Sequence, residues 1–253
     1  MAIDDEIDFG RRFVLRSGLI AVAGLAATSM LEAEANGIET IRLAWKNGNR
    51  AFVTKAQNGK YRADIVSSKE ITGNDYSTTQ EILQKTGAYV CFNGSFFEND
   101  GSPSGLYIRK GETKHQITQG KGDGVLYADP NGQIHIIAVD DFEGFKNQII
   151  DAVQVNLLRH NDVVMYVANV GAQISPRNLI GMTNNGMVDA IFKDTNFTLG
   201  DRYMKQSHNC HTVAALDGYT SASASDRVGG SSYMKSDRLE ERKVPNFIVL
   251  YQG

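Results

Sequence analysis

The 253-residue chain is 42% hydrophobic and 22% charged, with a formal net charge of −3, the balance of an ordinary globular protein rather than a disordered or fibrous one. Residues 36–253 set 23 basic against 23 acidic side chains, so no long-range field draws nucleic acid or anionic lipid, and any anion must be recognised locally. With 25 glycines and only 4 prolines, the connections are expected to be tight turns between strands.

The first 35 residues form a separate unit. Arg11-Arg12, followed by Leu15 and Arg16, precede an uncharged apolar run from Ser17 to Leu31, and Ala33-Glu34-Ala35 supplies a small-x-small pattern. This is the layout of a cleavable, twin-arginine-like export signal, although Gly10 stands where Ser or Thr is usual and Val14 where Phe is usual. The run is shorter than the roughly 20 residues of a membrane-spanning helix. The expectation is an exported protein, periplasmic or secreted, with no stable membrane insertion once the signal is removed.

From residue 36 onward the apolar residues mostly alternate with period two, which predicts strands. They fall at 40–46, 51–56, 60–66, 88–92, 105–109, 124–128, 133–139, 152–158, 163–168, 187–192, 211–216 and 246–251. "ADPNGQ" at 128–133 and "TNNGM" at 183–187 predict hairpin turns, because Asn-Gly accepts positive φ. Helices are few. Residues 77–87 carry Thr78 and Glu81 at capping-box spacing and stop at Gly87, and 140–150 and 199–208 are weaker candidates. The fold class is α+β: one domain, 36–253, with a large mixed or mostly antiparallel sheet system and a few flanking helices. Cys91 and Cys210 are compatible with a disulfide in an oxidising compartment or with two buried thiols.

Three strand-end segments carry the chemistry. "FNGSFF" holds Asn93, Gly94 and Phe97 and runs on to Gly105. "SPRNLIG" holds Arg177. "HTVAALDGYTS" holds His211, Asp217, Gly218 and Ser221. A closing "VPNFIVLY" begins at Val244. Arg177 offers a planar five-donor cation suited to a phosphate, or to an ordinary ion pair. Asp217 ends an apolar strand, where a carboxylate needs a task or a turn to cap. Asn93 suits either a sugar or phosphate oxygen or an Asx turn. Phe96 and Phe97 suit sugar stacking or core packing.

In order and spacing, these segments resemble the phosphodiester glycosidase family, whose pattern runs "NGGFF", "RTAIG", "NLDGGGS" and "VPNAIGV". The likeness covers roughly residues 85–253. It departs where Tyr219 and Thr220 replace two glycines of the third motif, and where Asn156-Leu157-Leu158 stands for a Pro-Leu-Leu-like segment.

The resemblance implies a hydrolase that cleaves a sugar-1-phosphodiester at the glycosidic C–O bond. Asp217 and Arg177 would be catalytic, with Asn93, Gly94, Phe97, Gly105, Gly218, His211 and Ser221 around the substrate. Glycoside hydrolysis ordinarily uses two carboxyl groups. A phosphate leaves more readily than an alkoxide, so one carboxylate with an arginine is chemically adequate. Glu98, Asp194 and Asp226 are the candidates for a second. The alternative is a non-catalytic envelope protein of the same fold that binds a glycan or anionic polymer. No cofactor is expected. The "HNCH" run at 208–211 holds three potential zinc ligands but has no second ligand cluster in the sequence.

Overall fold

A computed structural model describes residues 21–22, 25–45, 50–165, 173–227 and 241–253. Two sheets face each other. The longer one runs, in hydrogen-bonded order, Ala21–Val22, Leu25–Ala35, Ile38–Trp45, Arg50–Gln57, Gly186–Thr195, Ser175–Thr183, Thr212–Ala215, Asp151–His160, Tyr107–Arg109 and Glu112–His115. The hairpin Gly124–Ala128/Ile134–Ala138 also joins Asp151–His160. The smaller sheet orders Ala224–Asp226, Val90–Asn93, Asn246–Gln252 and Tyr61–Ser67. Every registered pair is antiparallel, from the hairpin Ser175–Thr183/Gly186–Thr195 to the small sheet's central pair. Among the described residues no helix is long and apolar enough to cross a membrane.

The period-two pattern sorts the side chains into layers. Phe52, Ile180 and Ile191 of the large sheet pack against Ile65, Phe92, Ile248 and Leu250 of the small one. The opposite face of the large sheet, with Val53, Leu179, Ala190 and Val213, takes Tyr203 and Met204 of the helix Phe197–His208. The outer face of the small sheet, with Cys91, Phe247 and Val249, takes Ile82 and Leu83 of the helix Thr79–Thr86. The two cysteines thus belong to different layers and are free thiols, which excludes the disulfide. Each fully buried Phe, Ile or Leu contributes about 1.5–3 kcal/mol by leaving water.

Local chemistry accounts for the element ends. Thr78 and Glu81 form the capping box, and Gly87 closes the helix in a left-handed conformation. Helix Phe197–His208 starts earlier than expected, because Asn196 Oδ1 accepts from Leu199 N. A bidentate pair, Arg159 to Asp201 at 2.9 and 2.8 Å, fastens it to the large sheet. The expected helix at 140–150 shrinks to Phe142–Phe145 between two 3-10 turns. The structure adds a short helix, Ser68–Thr72, and a long strand, Ser175–Thr183, which carries the Arg177 motif. Of the expected strand at 163–168, Val163–Val164 is described as a strand and residues 166–168 lie outside the described set.

Arg11-Arg12 also lies outside the described residues. The backbone of Leu25–Ala35 runs antiparallel to Ile38–Trp45, with Glu34 opposite Glu39. The turn between them is Asn36-Gly37, both at positive φ (47° and 82°), the geometry of a tight hairpin.

One core residue breaks the apolar rule. Asp189 is 0% exposed, stands opposite Thr54, and has no hydrogen-bond partner on either oxygen; the Thr54 hydroxyl is also unpaired. Burial holds its proton affinity well above the ordinary aspartate value of 3.8. Between the unfolded-state pKa and the raised folded-state pKa, folding therefore takes up a proton. This cost is absent below the unfolded-state pKa and grows as pH rises above it. Asp189→Asn avoids the cost. It is expected to raise stability at pH 7 by about 1–3 kcal/mol, a Tm increase of several degrees for a chain of this size. Thermal melts from pH 3.5 to 8 check this, and the gain should fade toward pH 4.

Candidate active site

The site begins with a buried side-chain amide. Asn93 ends the small-sheet strand Val90–Asn93 and is 1% exposed. Its Oδ1 accepts from Asn178 Nδ2 (2.9 Å) on the large sheet and from Ser223 N (3.0 Å). Its Nδ2 donates to Asp217 O (2.8 Å) and Gly94 O (3.2 Å). The next residue continues the junction: Gly94 O accepts from Asp217 N (3.1 Å), and Gly94 N donates to Asn246 O (2.9 Å). A Cβ on Gly94 would collide with Asn246 Oδ1. Asn93 and Gly94 therefore hold the frame and do not face a ligand. Asn93 forms an inter-sheet tie, which neither an Asx turn nor a substrate contact describes.

This tie holds Asp217 by both backbone polar groups, where the strand Thr212–Ala215 runs out. Its carboxylate is only partly exposed and accepts from Gly218 N at 2.9 Å. Burial raises its proton affinity; hydrogen bonds from the Ser221 hydroxyl and Gly218 N–H, and the charge of Arg242, pull it back in part. It forms no ion pair among the described residues. Ser221, 1% exposed, lies beside Asp217 and hydrogen-bonds its carboxylate.

Arg177 lies on the neighbouring strand Ser175–Thr183, just past a register shift. It is 5% exposed. Its guanidinium is sandwiched between Phe197 (4.2 Å) and Tyr219 (4.8 Å), and Nη2 donates to Gln173 O at 3.2 Å. Nε–H has no acceptor, and no carboxylate pairs with the group among the described residues. A buried cation left this way is costly unless an anion arrives to meet it. Gly218 packs directly on this residue: a Cβ there would lie 3.1 Å from Pro176 O and 3.6 Å from Arg177 Cδ. The segments bearing Arg177 and Asp217 therefore do converge, yet the two side chains do not neutralise each other. Tyr219, where the family pattern has glycine, keeps a left-handed backbone (φ 53°). Its stacking on Arg177 and its hydroxyl bond to Gln173 Oε1 (3.2 Å) offset that strain.

Other expected residues divide. Phe97 is half-buried, edge-on to Tyr76, with the Arg242 guanidinium 5.5 Å over its ring. Arg242 was not singled out in the sequence, although it stands two residues before the Val244 motif. Gly105 belongs to the scaffold: a Cβ there would strike Gln154 Oε1, and its carbonyl accepts from His115 Nδ1 in one tautomer (2.9 Å). His211 does not reach the site. It starts the strand that Asp217 follows, six residues and roughly 20 Å away at strand rise, and its ring contacts Thr212 Oγ1.

The "HNCH" side chains diverge. His208 packs edge-on to Tyr203, with burial pushing its pKa down to about 3, while Cys210 packs under Gly181. As for a second carboxylate, Asp226 is committed to Arg42 (2.8 Å) and Thr40 (3.0 Å), and the exposed Glu98 pairs with Lys121 (2.9 Å). Asp194 is exposed at the far end of Gly186–Thr195. What remains is one carboxylate with raised proton affinity, acted on by the charge of Arg242 and carried on a segment that packs against Arg177, a set suited to base or nucleophile chemistry beside an anion.

Comparison with known proteins identifies relatives of the chain and of its fold. The phosphodiester glycosidase family matches residues 86–251. The uncharacterized protein YigE of Escherichia coli (strain K12) is 27% identical over 189 residues, 70% of each chain. Among solved structures, the catalytic domain of zebrafish N-acetylglucosamine-1-phosphodiester alpha-N-acetylglucosaminidase, auto-inhibited by its pro-peptide, superposes with a TM-score of 0.60 at 12% identity, covering 89% of this chain and 82% of that one. A hypothetical protein from Synechocystis gives 0.64 at 12% identity, covering 90% and 64%. At these identities the two structures show a shared fold.

The tie makes a sharp prediction. Asn93→Ala leaves Asn178, Ser223 N and Asp217 O without their partner in a buried interface. It should cost about 2–4 kcal/mol, read as a lowered urea midpoint. His211→Ala should leave any turnover within about twofold of the parent.

Proposed function

Because the chain belongs to the phosphodiester glycosidase family, we propose that it is an exported hydrolase that splits a sugar-1-phosphodiester at the sugar carbon. One observation carries this reading. Among the described residues a buried guanidinium without a counter-charge, Arg177, sits against the chain segment that presents a carboxylate without an ion-pair partner, Asp217. The buried pairs Arg159–Asp201, Arg109–Asp151 and Arg42–Asp226 are compensated within the fold, whereas among the described residues Arg177 and Asp217 have no such partner.

In the proposed reaction, water or Asp217 attacks C1 as the C1–O bond breaks. The electron pair leaves on the phosphate oxygen, and the water oxygen ends on the sugar. Asp217 in its ionised form stabilises the cationic sugar or takes the proton from water. Arg177 stabilises the negative charge on the departing phosphate. Phe97 and Ser221 shape the entrance and hold Asp217. Export is inferred from Arg11-Arg12 and Ala33-Glu34-Ala35; cleavage after Ala35 would leave Ile38–Trp45 as an edge of the large sheet.

Hydrolysis of methyl-phospho-N-acetylglucosamine in oxygen-18 water should place the label in the sugar; label in the phosphate overturns the mechanism. Asp217→Asn should reduce kcat by roughly 10²–10⁴-fold with an unchanged circular dichroism spectrum. Loss of turnover should not accompany loss of fold. The sign of the pH dependence follows from the raised proton affinity of Asp217. Activity should climb with pH through a pKa above 3.8, and that limb should be missing from the Asp217→Asn residual rate. Sugar-phosphate binding without turnover in the parent protein would favour the non-catalytic reading. Sequencing the amino terminus of the exported protein, expected at Asn36, checks the signal.

A further inference from the structure

The final strand is entered through a segment fastened to the helix Thr79–Thr86. Glu241 Oε1 accepts from both Thr79 N and Thr79 Oγ1 at 2.7 Å. Lys243 Nζ reaches Glu81 Oε1 at 3.2 Å. Val244 exchanges backbone hydrogen bonds with Ser77 at 2.8 and 3.1 Å. Arg242 sits between these anchors, and its side chain turns the other way. Nη1 donates to Thr220 Oγ1 (2.9 Å) and Ser221 Oγ (3.2 Å), on the loop that follows Asp217, and the guanidinium stacks over Phe97. Arg242 is exposed and forms no ion pair among the described residues.

We propose that Arg242 is the specificity-determining contact at the mouth of the site, gripping the non-bridging phosphate oxygens of the substrate's leaving group. This rests on the glycosidase reading above and names the part of the substrate that is recognised. Arg177, 5% exposed and stacked on two aromatic rings, meets the phosphate charge from inside the site, which leaves the grip at the mouth to a more exposed group. Arg242 has water-accessible N–H groups in a planar fork that matches two phosphate oxygens. Its present acceptors are neutral hydroxyls, which a dianionic or monoanionic phosphate outcompetes as a charge-assisted partner. The Phe97 ring beneath and the anchors on either side hold the group close to its working position, so little ordering entropy is lost on binding. Ser221 connects the two functions: its hydroxyl bonds the Asp217 carboxylate and accepts from Arg242.

The test compares leaving groups on one sugar. Arg242→Gln and Arg242→Lys are assayed on methyl-phospho-N-acetylglucosamine and on p-nitrophenyl N-acetylglucosaminide. The ratio of kcat/KM values, phosphodiester over nitrophenyl, should fall at least about tenfold in Arg242→Gln, mainly through KM, with partial recovery in Arg242→Lys. An unchanged ratio overturns the proposal, including the case where both substrates lose activity equally. A binding arm separates this outcome from failure of the hydrolase reading. Calorimetric titration with N-acetylglucosamine 1-phosphate should show at least tenfold weaker binding in Arg242→Gln, whether or not the parent turns substrate over. Equal affinity in parent and variant, or no binding by the parent, sinks the assignment of Arg242.

Discussion

The buried side-chain amide of Asn93 helps join the two sheets at the end where the chemistry is proposed. A primary amide has one carbonyl oxygen and two N–H groups, and at this position each is matched to a partner on a different segment: Asn178 on the large sheet, Ser223 on the return loop, and the carbonyls of Gly94 and Asp217. At a buried position, breaking any of these leaves a polar group unpaired. The amide therefore fixes the spacing of the sheets and the height of Asp217 above their rim. The frame holds the backbone of Asp217 and leaves its carboxylate free to act.

The charged groups divide by how they are compensated. Arg159 with Asp201, Arg109 with Asp151, and Arg42 with Asp226 are close pairs whose carboxylates are almost fully buried. Each pairs a charge that burial would otherwise penalise. Arg177 and Asp217 are treated differently. The guanidinium is stabilised by aromatic faces, which offer it electron density but no full negative charge. The carboxylate is stabilised by a backbone N–H and a hydroxyl. Both keep capacity for a ligand of opposite sign. The proposed reaction, in which a sugar becomes cationic and a phosphate leaves as an anion, needs both kinds of capacity in one place.

The departure at Tyr219 also acquires a physical meaning. Glycine would reach its left-handed backbone without strain. Tyrosine accepts the strain and gains contact with Arg177 and Gln173. The ring is 48% exposed, so it forms part of the wall a substrate would meet. A position where the family pattern leaves room for close backbone approach is here an aromatic surface, a difference that bears on which sugar or aglycone fits.

Alternation of apolar residues, the capping box at Thr78 and the Asn-Gly turns are local signals, and they were enough to read the α+β class, most strands and the best helix directly from the chain. The ordered motifs were enough to bring Arg177, Asp217, Gly218 and Ser221 into one neighbourhood, because strand ends are where a sheet presents side chains to solvent. The sequence was silent wherever a role depends on a partner distant in the chain. Asn93 reads as a ligand contact until Asn178 and Ser223 arrive to saturate it. His211 shares a motif with Asp217, yet a strand carries it to the other end. Arg242 looks like a surface cation until its neighbours are tied to a helix and its side chain turns toward Ser221. Spacing along the chain sets which face a residue takes; only packing of the two sheets decides which polar groups are used up and which remain free for chemistry.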